Sequence, residues 1–219
     1  MEKGVALVFL GAPGAGKGTV IGFVSQKFPL DQVSTGDLIR AKIKGDHRFR
    51  EQVEGLMNQG KLVGDDIVEG LLREALAKIP TEKGLALDGY PRTPVQAESL
   101  EKILPEFKRN LKKVIYLNVS EKTVLQRLGG RRQCKNCNAI YNVIGMKPKR
   151  DGVCDKCGGI LFTREDDKPE VIKKRLKEYR EKTSSLTEFY KTKGILFEVD
   201  ANKEAVDSAK AIFKELGVQ

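Results

Sequence analysis

The sequence contains no tryptophan and one histidine, and aromatic residues make up 6% of its 219 residues. Scarce aromatic rings disfavour a platform on which the bases of a single-stranded nucleic acid stack. The one histidine, His47, lies in a polar stretch without serine or cysteine neighbours. We therefore expect His47 on the surface and no histidine-centred catalytic triad.

Long apolar runs are also missing from the chain. No stretch approaches the roughly 20 apolar residues that a membrane-spanning helix needs. The first four residues lead directly into a predicted strand, and nothing there is typical of a signal peptide. These features predict a cytoplasmic protein without a membrane partner.

Cysteine is scarce, and all four cysteines lie in one window of the chain. They form two CxxC pairs, Cys134 with Cys137 and Cys154 with Cys157, separated by sixteen residues. In a reducing cytoplasm such pairs indicate metal ligands rather than disulfides. Two CxxC turns complete a closed tetrahedral zinc site, which stabilises a small lobe and does no chemistry. A pair of disulfides or an iron site remains the alternative.

Acidic residues are outnumbered by basic ones. The chain carries 40 lysines and arginines against 30 aspartates and glutamates, a formal net charge of +10. This excess favours polyanionic partners, which are either nucleic acids or phosphorylated small molecules. Charge alone does not decide between them.

A glycine-rich segment, GAPGAGKGT at residues 11–19, follows the apolar run VALVFL at residues 5–10. The run predicts a parallel strand buried on both faces, and a helix is predicted from Lys17 onward. Glycines let successive N–H groups face one anion, while the helix N-terminus and Lys17 add positive charge. The segment predicts a phosphate-binding loop, although Gly18 stands where the P-loop pattern has serine or threonine and Thr19 follows one position later.

Two further motifs follow predicted strand ends. Thr35 and Arg40 near the start of a helix suit a phosphate or ribose, or else are a plain helix cap and a solvated arginine. Asp88 ends the apolar run at residues 85–87 and can hold hydrated magnesium beside the loop, or else caps a turn. Arg92 and Gln96 share one face if a helix starts near Thr93, and an amide can pair with an adenine edge.

The rest of the chain alternates strands and helices. Residues 41–63 predict a small helical lobe, and residues 114–119 predict a strand that leads through a helix to three arginines near a Gly-Gly pair. A long basic helix is expected from Pro169, followed by a strand at residues 195–199 and a closing helix through Leu216.

Together, these motifs are similar to the adenylate kinase family over essentially the whole chain. The resemblance rests on residues 11–19, 34–40, 88–92 with Gln96, Arg127 with Arg131, and 164–167 with Arg175. Its most specific piece is LDGYPRT at residues 87–93. The four-cysteine insertion resembles the zinc-bearing lid of the long bacterial form.

The resemblance implies an α/β protein with the P-loop nucleoside monophosphate kinase fold. A five-stranded parallel sheet with helices on both faces would form the core from residues 1–33, 64–129 and 168–219. A helical AMP-binding lobe would span residues 34–63, and a zinc-ribbon-like lid would span residues 130–167. The implied reaction is reversible: MgATP and AMP give two ADP. The expected protein is a monomer that binds ATP, AMP and ADP, with zinc and magnesium as metals and no nucleic acid partner.

The resemblance also assigns site residues. The catalytic groups would be Lys17, Arg92, Arg131, Arg164 and Arg175. ATP would contact Gly14, Ala15, Gly16, Lys17, Gly18, Thr19, Arg127, Arg131 and Ala201. AMP would contact Thr35, Arg40, Lys61, Val63, Gly89, Arg92, Gln96, Arg164 and Arg175. Zinc would be held by Cys134, Cys137, Cys154 and Cys157, and magnesium by Asp88 through water, with Asp166 and Asp167 orienting the arginines or the hinge.

Some residues depart from the family pattern and leave alternatives open. Ala201 follows Asp200 where glycine is usual, so the ATP base is expected to be read less strictly. A kinase for UMP, CMP or GMP shares the same loop and arginines, but Gln96, Thr35 and the long lid favour AMP. A zinc-ribbon nucleic-acid-binding protein is a rival from another class. Basic residues around the cysteines support it, whereas four aspartates in the same segment count against it: Asp151, Asp155, Asp166 and Asp167.

Overall fold

The computed structural model describes residues 3–217 and is built around a parallel sheet. Within these residues the strands are β1 (Val5–Leu10), β2 (Leu30–Ser34), β3 (Gly84–Asp88), β4 (Asn110–Asn118), β5 (Arg131–Cys134), β6 (Ile140–Asn142), β7 (Leu161–Phe162) and β8 (Leu196–Asp200). Five of them form one sheet in the order β2-β3-β1-β4-β8, with every neighbouring pair parallel. The predicted five-stranded parallel sheet is confirmed.

Helices connect these strands. They are α1 (Lys17–Lys27), α2 (Thr35–Gly45), α3 (His47–Asn58), α4 (Asp65–Leu76), α5 (Pro94–Glu106), α6 (Glu121–Gly129), α7 (Pro169–Lys182), α8 (Ser185–Thr192) and α9 (Ala205–Glu215). A short 3-10 helix spans Glu165–Asp167. Side-chain caps begin several of them; Ser34, for example, accepts a hydrogen bond from the Asp37 N–H. None of the helices within residues 3–217 is long and apolar enough to cross a membrane.

Strand β1 consists of the unbroken apolar run VALVFL. All six of its residues are buried, because helices cover both faces of the sheet. Ala6, Val8 and Leu10 share one core with residues of α4 and α5, whereas Leu7 and Phe9 share the other with residues of α1 and α9. Burying each large apolar side chain contributes about 1.5–3 kcal/mol, so this strand anchors the loop that follows it.

The strand register brings the predicted motifs to one edge of the sheet. Phe9 of β1 pairs with Asp88 of β3, and Ser34 of β2 pairs with the same aspartate. Because the strands are parallel, the glycine loop, the start of α2 and the segment after Asp88 all emerge at the carboxyl ends of neighbouring strands. Ligands of open α/β sheets bind at this edge.

Two smaller units extend from the core. Helices α2 and α3 fall in the predicted lobe range of residues 34–63, which also contains the last residue of β2. Strands β5, β6 and β7 form a three-stranded antiparallel sheet within the predicted lid range of residues 130–167. We keep the names lobe and lid for these ranges; their exact boundaries stay a prediction.

Two features of the fold were not predicted from the sequence. The chain turns after Thr183 and forms the separate helix α8 before β8. Arg109 is 1% exposed, and its guanidinium donates hydrogen bonds to the carbonyl oxygens of Ile79 (3.1 Å), Pro80 (3.0 Å) and Lys83 (3.1 Å). Burial lowers the pKa of Arg109. This cation satisfies the carbonyls that follow α4 and belongs to the scaffold rather than to the site.

Candidate active site

The glycine loop turns between β1 and α1 with backbone angles that side chains disfavour. Gly14 has φ 82°, and a Cβ there would lie 2.7 Å from Cγ of Leu128. Gly16 has φ 91° and precedes α1 without a side-chain cap. The first N–H groups of α1 therefore have no capping side chain and are available to an anion.

Lys17 lies inside this loop with its ammonium buried. Its Nζ donates hydrogen bonds to the carbonyl oxygens of Gly11 (2.9 Å) and Ala12 (3.2 Å). Burial lowers the pKa of Lys17 to about 8; the Asp88 carboxylate opposes this shift, while Arg92 and Arg175 add to it. A buried cation surrounded by other cations favours the arrival of a polyanion.

Two adjacent aspartates hold two of the predicted catalytic arginines. Arg131 donates through Nε and Nη2 to the two carboxylate oxygens of Asp167, at 2.7 and 2.5 Å. Arg175 donates through Nη1 to Asp167 (3.1 Å) and to the Asp166 carboxylate (2.9 Å). The Asp167 side chain is fully buried. The two carboxylates therefore hold the guanidiniums of Arg131 and Arg175 through charge-assisted hydrogen bonds; their orienting role stays a prediction.

A second cluster joins the lid to the lobe. Arg40 pairs with Asp37 at 2.7 Å, and Arg164 of the lid lies 4.0 Å from the same carboxylate. Nε of Arg164 donates to Oε1 of Gln133 at 2.6 Å. Nε of Arg40 is buried and lacks a partner among residues 3–217. Because two guanidiniums share one carboxylate, this cluster keeps a net positive charge that can attract an anionic ligand.

The segment after Asp88 connects Thr35 and Arg92 through one glycine. The Thr35 hydroxyl and Nε of Arg92 both donate to the Gly89 carbonyl at 2.9 Å. A Cβ at Gly89 would lie 2.9 Å from the Thr35 hydroxyl oxygen, and φ there is 82°. Only glycine fits this position without displacing a predicted site residue.

Gln96 is buried and already hydrogen-bonded. Its Oε1 accepts from the Arg92 backbone N–H at 2.7 Å, and its Nε2 donates to Asp65 at 2.6 Å. Helix α5 begins at Pro94 after the cap Thr93, so Arg92 lies outside the helix. The predicted pairing of Arg92 with Gln96 therefore arises through the Arg92 backbone and not from a shared helical face.

The remaining residues predicted to contact ATP lie around the glycine loop. Arg127 donates to the carbonyls of Ala15 (3.2 Å) and Lys203 (2.9 Å), which joins the loop to the segment after β8. Ala201 is buried in that segment. Gly18 and Thr19 form the first turn of α1, and a Cβ at Gly18 would lie 3.7 Å from Asp88 Oδ2.

Lys61 and Val63 precede α4. Val63 is buried, whereas Lys61 is exposed, and no hydrogen bond or ion pair within residues 3–217 connects the Lys61 side chain to the arginine clusters. The structure thus places Lys61 at the rim.

The four cysteines meet at one point of the lid. Their sulfur atoms all lie within 4.8 Å of one another, with Cys134 and Cys157 at 3.4 Å and Cys137 and Cys154 at 3.5 Å. Four sulfurs at about 2.3 Å from a tetrahedral ion would be about 3.8 Å apart. The cluster therefore fits a metal ion.

Tyr141 supports this cluster. Its hydroxyl accepts from the Asp155 N–H at 2.8 Å and lies 3.5 Å from the Cys154 sulfur. This contact lowers the pKa of Cys154 to about 6, which favours the thiolate that metals bind. Partners of this kind orient metal ligands.

Comparison with known proteins matches this geometry to one family. The family model described as adenylate kinase matches residues 9–195. The chain belongs to the adenylate kinase family. The glycine loop, the Asp88 segment and the four-cysteine segment, on which the sequence resemblance rested, therefore belong to an adenylate kinase fold, and the predicted family is confirmed.

Curated adenylate kinases match nearly the whole chain. The protein from Caldicellulosiruptor bescii is 42% identical over 97% of this chain and 99% of its own length. The protein from Archaeoglobus fulgidus is 41% identical over 96% of this chain and 95% of its own length. The protein from Staphylococcus aureus is 38% identical over 94% of this chain and 96% of its own. The similarity thus includes the loop, the lobe and the lid.

Several contacts around the candidate site were not found by sequence reasoning. Gln133 contacts Arg164, Asp65 contacts Gln96, and Asp37 lies between two arginines. Asp37 stands inside a recognised motif and could have been considered with Arg40. Gln133 and Asp65 give no comparable signal, because their partners are 31 residues away in the chain.

Proposed function

We propose that this chain transfers the terminal phosphoryl group of MgATP to AMP and so forms two ADP, in a reversible reaction. The observation that carries the proposal is the convergence of Lys17, Arg92, Arg131 and Arg175 beside Asp88 at the carboxyl edge of the sheet. Such a set of fixed cations suits two phosphate chains that repel each other. Kinases for UMP or CMP are not favoured, since the curated relatives described above are adenylate kinases.

We assign the two nucleotides to opposite sides of this cluster. ATP would lie on the glycine loop, with Gly14, Ala15, Gly16, Lys17, Gly18 and Thr19 at its phosphates, Arg131 at the transferred group, and Arg127 and Ala201 near its base. AMP would lie on the lobe side, where its contacts would be Thr35, Arg40, Lys61, Val63, Gly89, Arg92, Gln96, Arg164 and Arg175. The short contacts among Thr35, Gly89 and Arg92 support a common acceptor pocket.

No side chain has to remove a proton from the acceptor. The second pKa of a phosphate monoester is about 6, so AMP is already a dianion near neutral pH. Catalysis then consists of in-line positioning and of stabilising the charge on the transferred oxygens. Arginine suits this role because its planar guanidinium engages two oxygens at once. Lys17 and Arg131 face the donor phosphates, while Arg92 holds the acceptor phosphate.

Magnesium would enter with ATP. Asp88 fits this ion, because its carboxylate lies at the end of β3 beside the first turn of α1 and offers the oxygen ligands that magnesium prefers. When bound, the ion neutralises charge on the ATP phosphates. Asp88 would hold it through water.

We propose that closure of the lid over the lobe excludes water, which is a competing acceptor. Lys44 of the lobe donates to the Lys135 carbonyl of the lid at 3.5 Å, and Arg164 approaches Asp37. These contacts support a closed arrangement in which Arg131 and Arg164 are carried inward with the lid.

We assign zinc to the four-cysteine cluster, because four thiolates in tetrahedral spacing suit this ion. The ion would have a structural role, since no coordination position stays open. We further propose that the chain acts as a cytoplasmic monomer. Four cysteines arranged as one ligand set, rather than as disulfides, support a reducing compartment.

The proposed reaction is tested by a coupled assay with ATP and each of AMP, UMP, CMP and GMP. We expect ADP formation with AMP at a kcat/KM at least about a hundredfold above that for the others, because their bases do not match the Gln96 amide. Comparable turnover of UMP or CMP would contradict the assignment. Salt-dependent nucleic acid binding without any kinase activity would favour the rival class.

The affinity for ATP is expected to fall as pH rises above about 8. Burial lowers the pKa of Lys17 to about 8 in the free site, and phosphate oxygens raise it on binding because they stabilise the ammonium. Binding above that pH therefore takes up a proton. By linkage, Kd is flat just below pH 8 and rises up to about tenfold per pH unit above it.

Titration of a non-hydrolysable ATP analogue between about pH 7.5 and 9.5 measures this slope. Lys17→Arg is the matched control, because arginine stays charged throughout this range. We expect the variant to lose the pH dependence even if its affinity is lower. An equally steep rise in Kd for Lys17→Arg would show that another group titrates.

A further inference from the structure

The amide of Gln96 is held in one orientation by two groups that cannot exchange roles. The Arg92 backbone N–H donates to Oε1 at 2.7 Å, and Nε2 donates to Oδ1 of Asp65 at 2.6 Å. A backbone N–H can only donate, and an ionised carboxylate can only accept. Rotating the amide by 180° would place oxygen against oxygen and two donors against each other. Because Gln96 is 3% exposed, water does not compensate for such a mismatch.

This orientation matters for the recognition of a purine. Each amide atom can make two hydrogen bonds, and within residues 3–217 each makes one, so one N–H and one lone pair remain. Adenine offers N1 as acceptor and its 6-amino group as donor. Hypoxanthine offers the reverse pattern, with N1–H as donor and O6 as acceptor. A freely rotating glutamine pairs with either base, whereas a fixed one pairs with one of them.

We propose that Asp65 is a positioning residue that determines which purine the acceptor site takes. By fixing the Gln96 amide, Asp65 makes the site accept a 6-amino purine nucleotide and reject a 6-oxo purine nucleotide. This inference rests on the proposed function, in which Gln96 contacts the AMP base. Asp65 itself does not contact the nucleotide and acts through Gln96.

The chain offers a matched control for this role. Asp65 and Asp66 are the first two residues of α4, and both are exposed. Both carboxylates favour the helix N-terminus, so replacing either one by asparagine removes the same charge from the same turn. No hydrogen bond joins Asp66 to Gln96 in the described part of the chain. Asparagine at position 65 keeps the size of aspartate, but its amide can donate or accept, so the Arg92 backbone N–H is then the one remaining group of the pair that opposes rotation of the Gln96 amide.

The experiment compares AMP with inosine monophosphate as acceptor. We expect Asp65→Asn to lower the ratio of kcat/KM for AMP to that for inosine monophosphate about tenfold, since one correct donor–acceptor pairing discriminates bases by roughly this factor or more. Most of the change is expected in KM and in the directly measured Kd of each nucleotide, because the phosphate contacts are unchanged. Asp66→Asn should keep the ratio of the unmodified chain.

The outcomes separate this inference from the proposed function. An unmodified chain that does not phosphorylate AMP overturns both. A chain that prefers AMP, with the same preference in Asp65→Asn, overturns this inference alone, as does an equal change in Asp66→Asn. Should Asp65→Asn melt below the assay temperature, Asp65→Ala and Kd measurements in the cold provide the same comparison, because alanine also removes the acceptor from Gln96.

Discussion

Replacing Arg131 with lysine is expected to lower kcat by about three orders of magnitude while the chain stays folded. Arg131 uses Nε and Nη2 to hold both oxygens of Asp167, so its remaining N–H groups can face the transferred phosphoryl group. Lysine has one nitrogen and cannot make both contacts in this geometry. Removing a single preorganised donor costs about 10²–10³ in kcat, and removing a phosphoryl-transfer arginine costs 10³–10⁵.

The neighbouring residue provides the control. Arg132 lies in the same strand, and its Nη1 donates to backbone carbonyls, including that of Arg131 at 2.8 Å. Arg132→Lys is expected to change kcat less than about threefold. Steady-state kinetics and thermal unfolding of both variants measure the effect on the reaction and on the fold. A near-normal kcat for Arg131→Lys would remove Arg131 from the transferring centre.

A cluster of buried cations at this site lowers the stability of the folded protein. Burial lowers the pKa of Lys17, Arg92 and Arg175, and neighbouring cations lower it further: Arg92 and Arg175 act on Lys17, Arg175 acts on Arg92, and Arg131 acts on Arg175. Asp166 and Asp167 offset part of this repulsion through their ion pairs with Arg175. The rest is relieved when a polyanion binds. The site is thus preorganised for charge that the nucleotides bring, which is where electrostatic stabilisation of a transition state originates.

The parts of the fold and of the candidate site that could be predicted from the sequence are those marked by short motifs of neighbouring residues. The apolar run of β1 followed by glycines and Lys17 identifies a strand, a turn and a helix within about twenty residues. Asp88, Gly89 and Arg92 follow the apolar strand β3 in the same way. The spacing of each CxxC pair predicts its geometry, because the two cysteines of a pair lie on one tight turn and face the same point. In all three cases the residues that act together are close in the chain.

Contacts between distant segments could not be predicted in this way. The partner of Arg164 is Gln133, and the partner of Gln96 is Asp65, each 31 residues away. Both pairs depend on how the lid and α4 pack on the core, which no local pattern specifies. Arg109 is similar: its sequence neighbours suggest a surface arginine, whereas tertiary packing buries it against three carbonyls.

Removing the metal from the cysteine cluster is expected to unfold the lid while the parallel-sheet core keeps its own cooperative transition. The described apolar core of the lid consists of Cys134, Tyr141, Cys154 and Leu161, with Ala139 packed against it. Burying so few side chains contributes only a few kcal/mol, about 1.5–3 for each large one. Metal binding to a structural zinc site contributes about 10–16 kcal/mol in small domains. We therefore expect the proposed ion to decide whether the lid folds.

Loss of the lid should also abolish most of the activity, because Arg131 begins β5 and Arg164 precedes the 3-10 helix Glu165–Asp167. We expect kcat/KM to fall at least about a thousandfold after chelation or in Cys134→Ser, in line with the loss of the two arginines that we propose to bind phosphate. Metal analysis should give one zinc per untreated chain, and calorimetry of the chelated chain should show a separate low-temperature transition. Asn136→Ser changes the same CxxC turn without removing a ligand and should retain the metal. A chelated chain with unchanged melting and turnover would mean that the packing of the lid, and not the ion, holds these arginines in place.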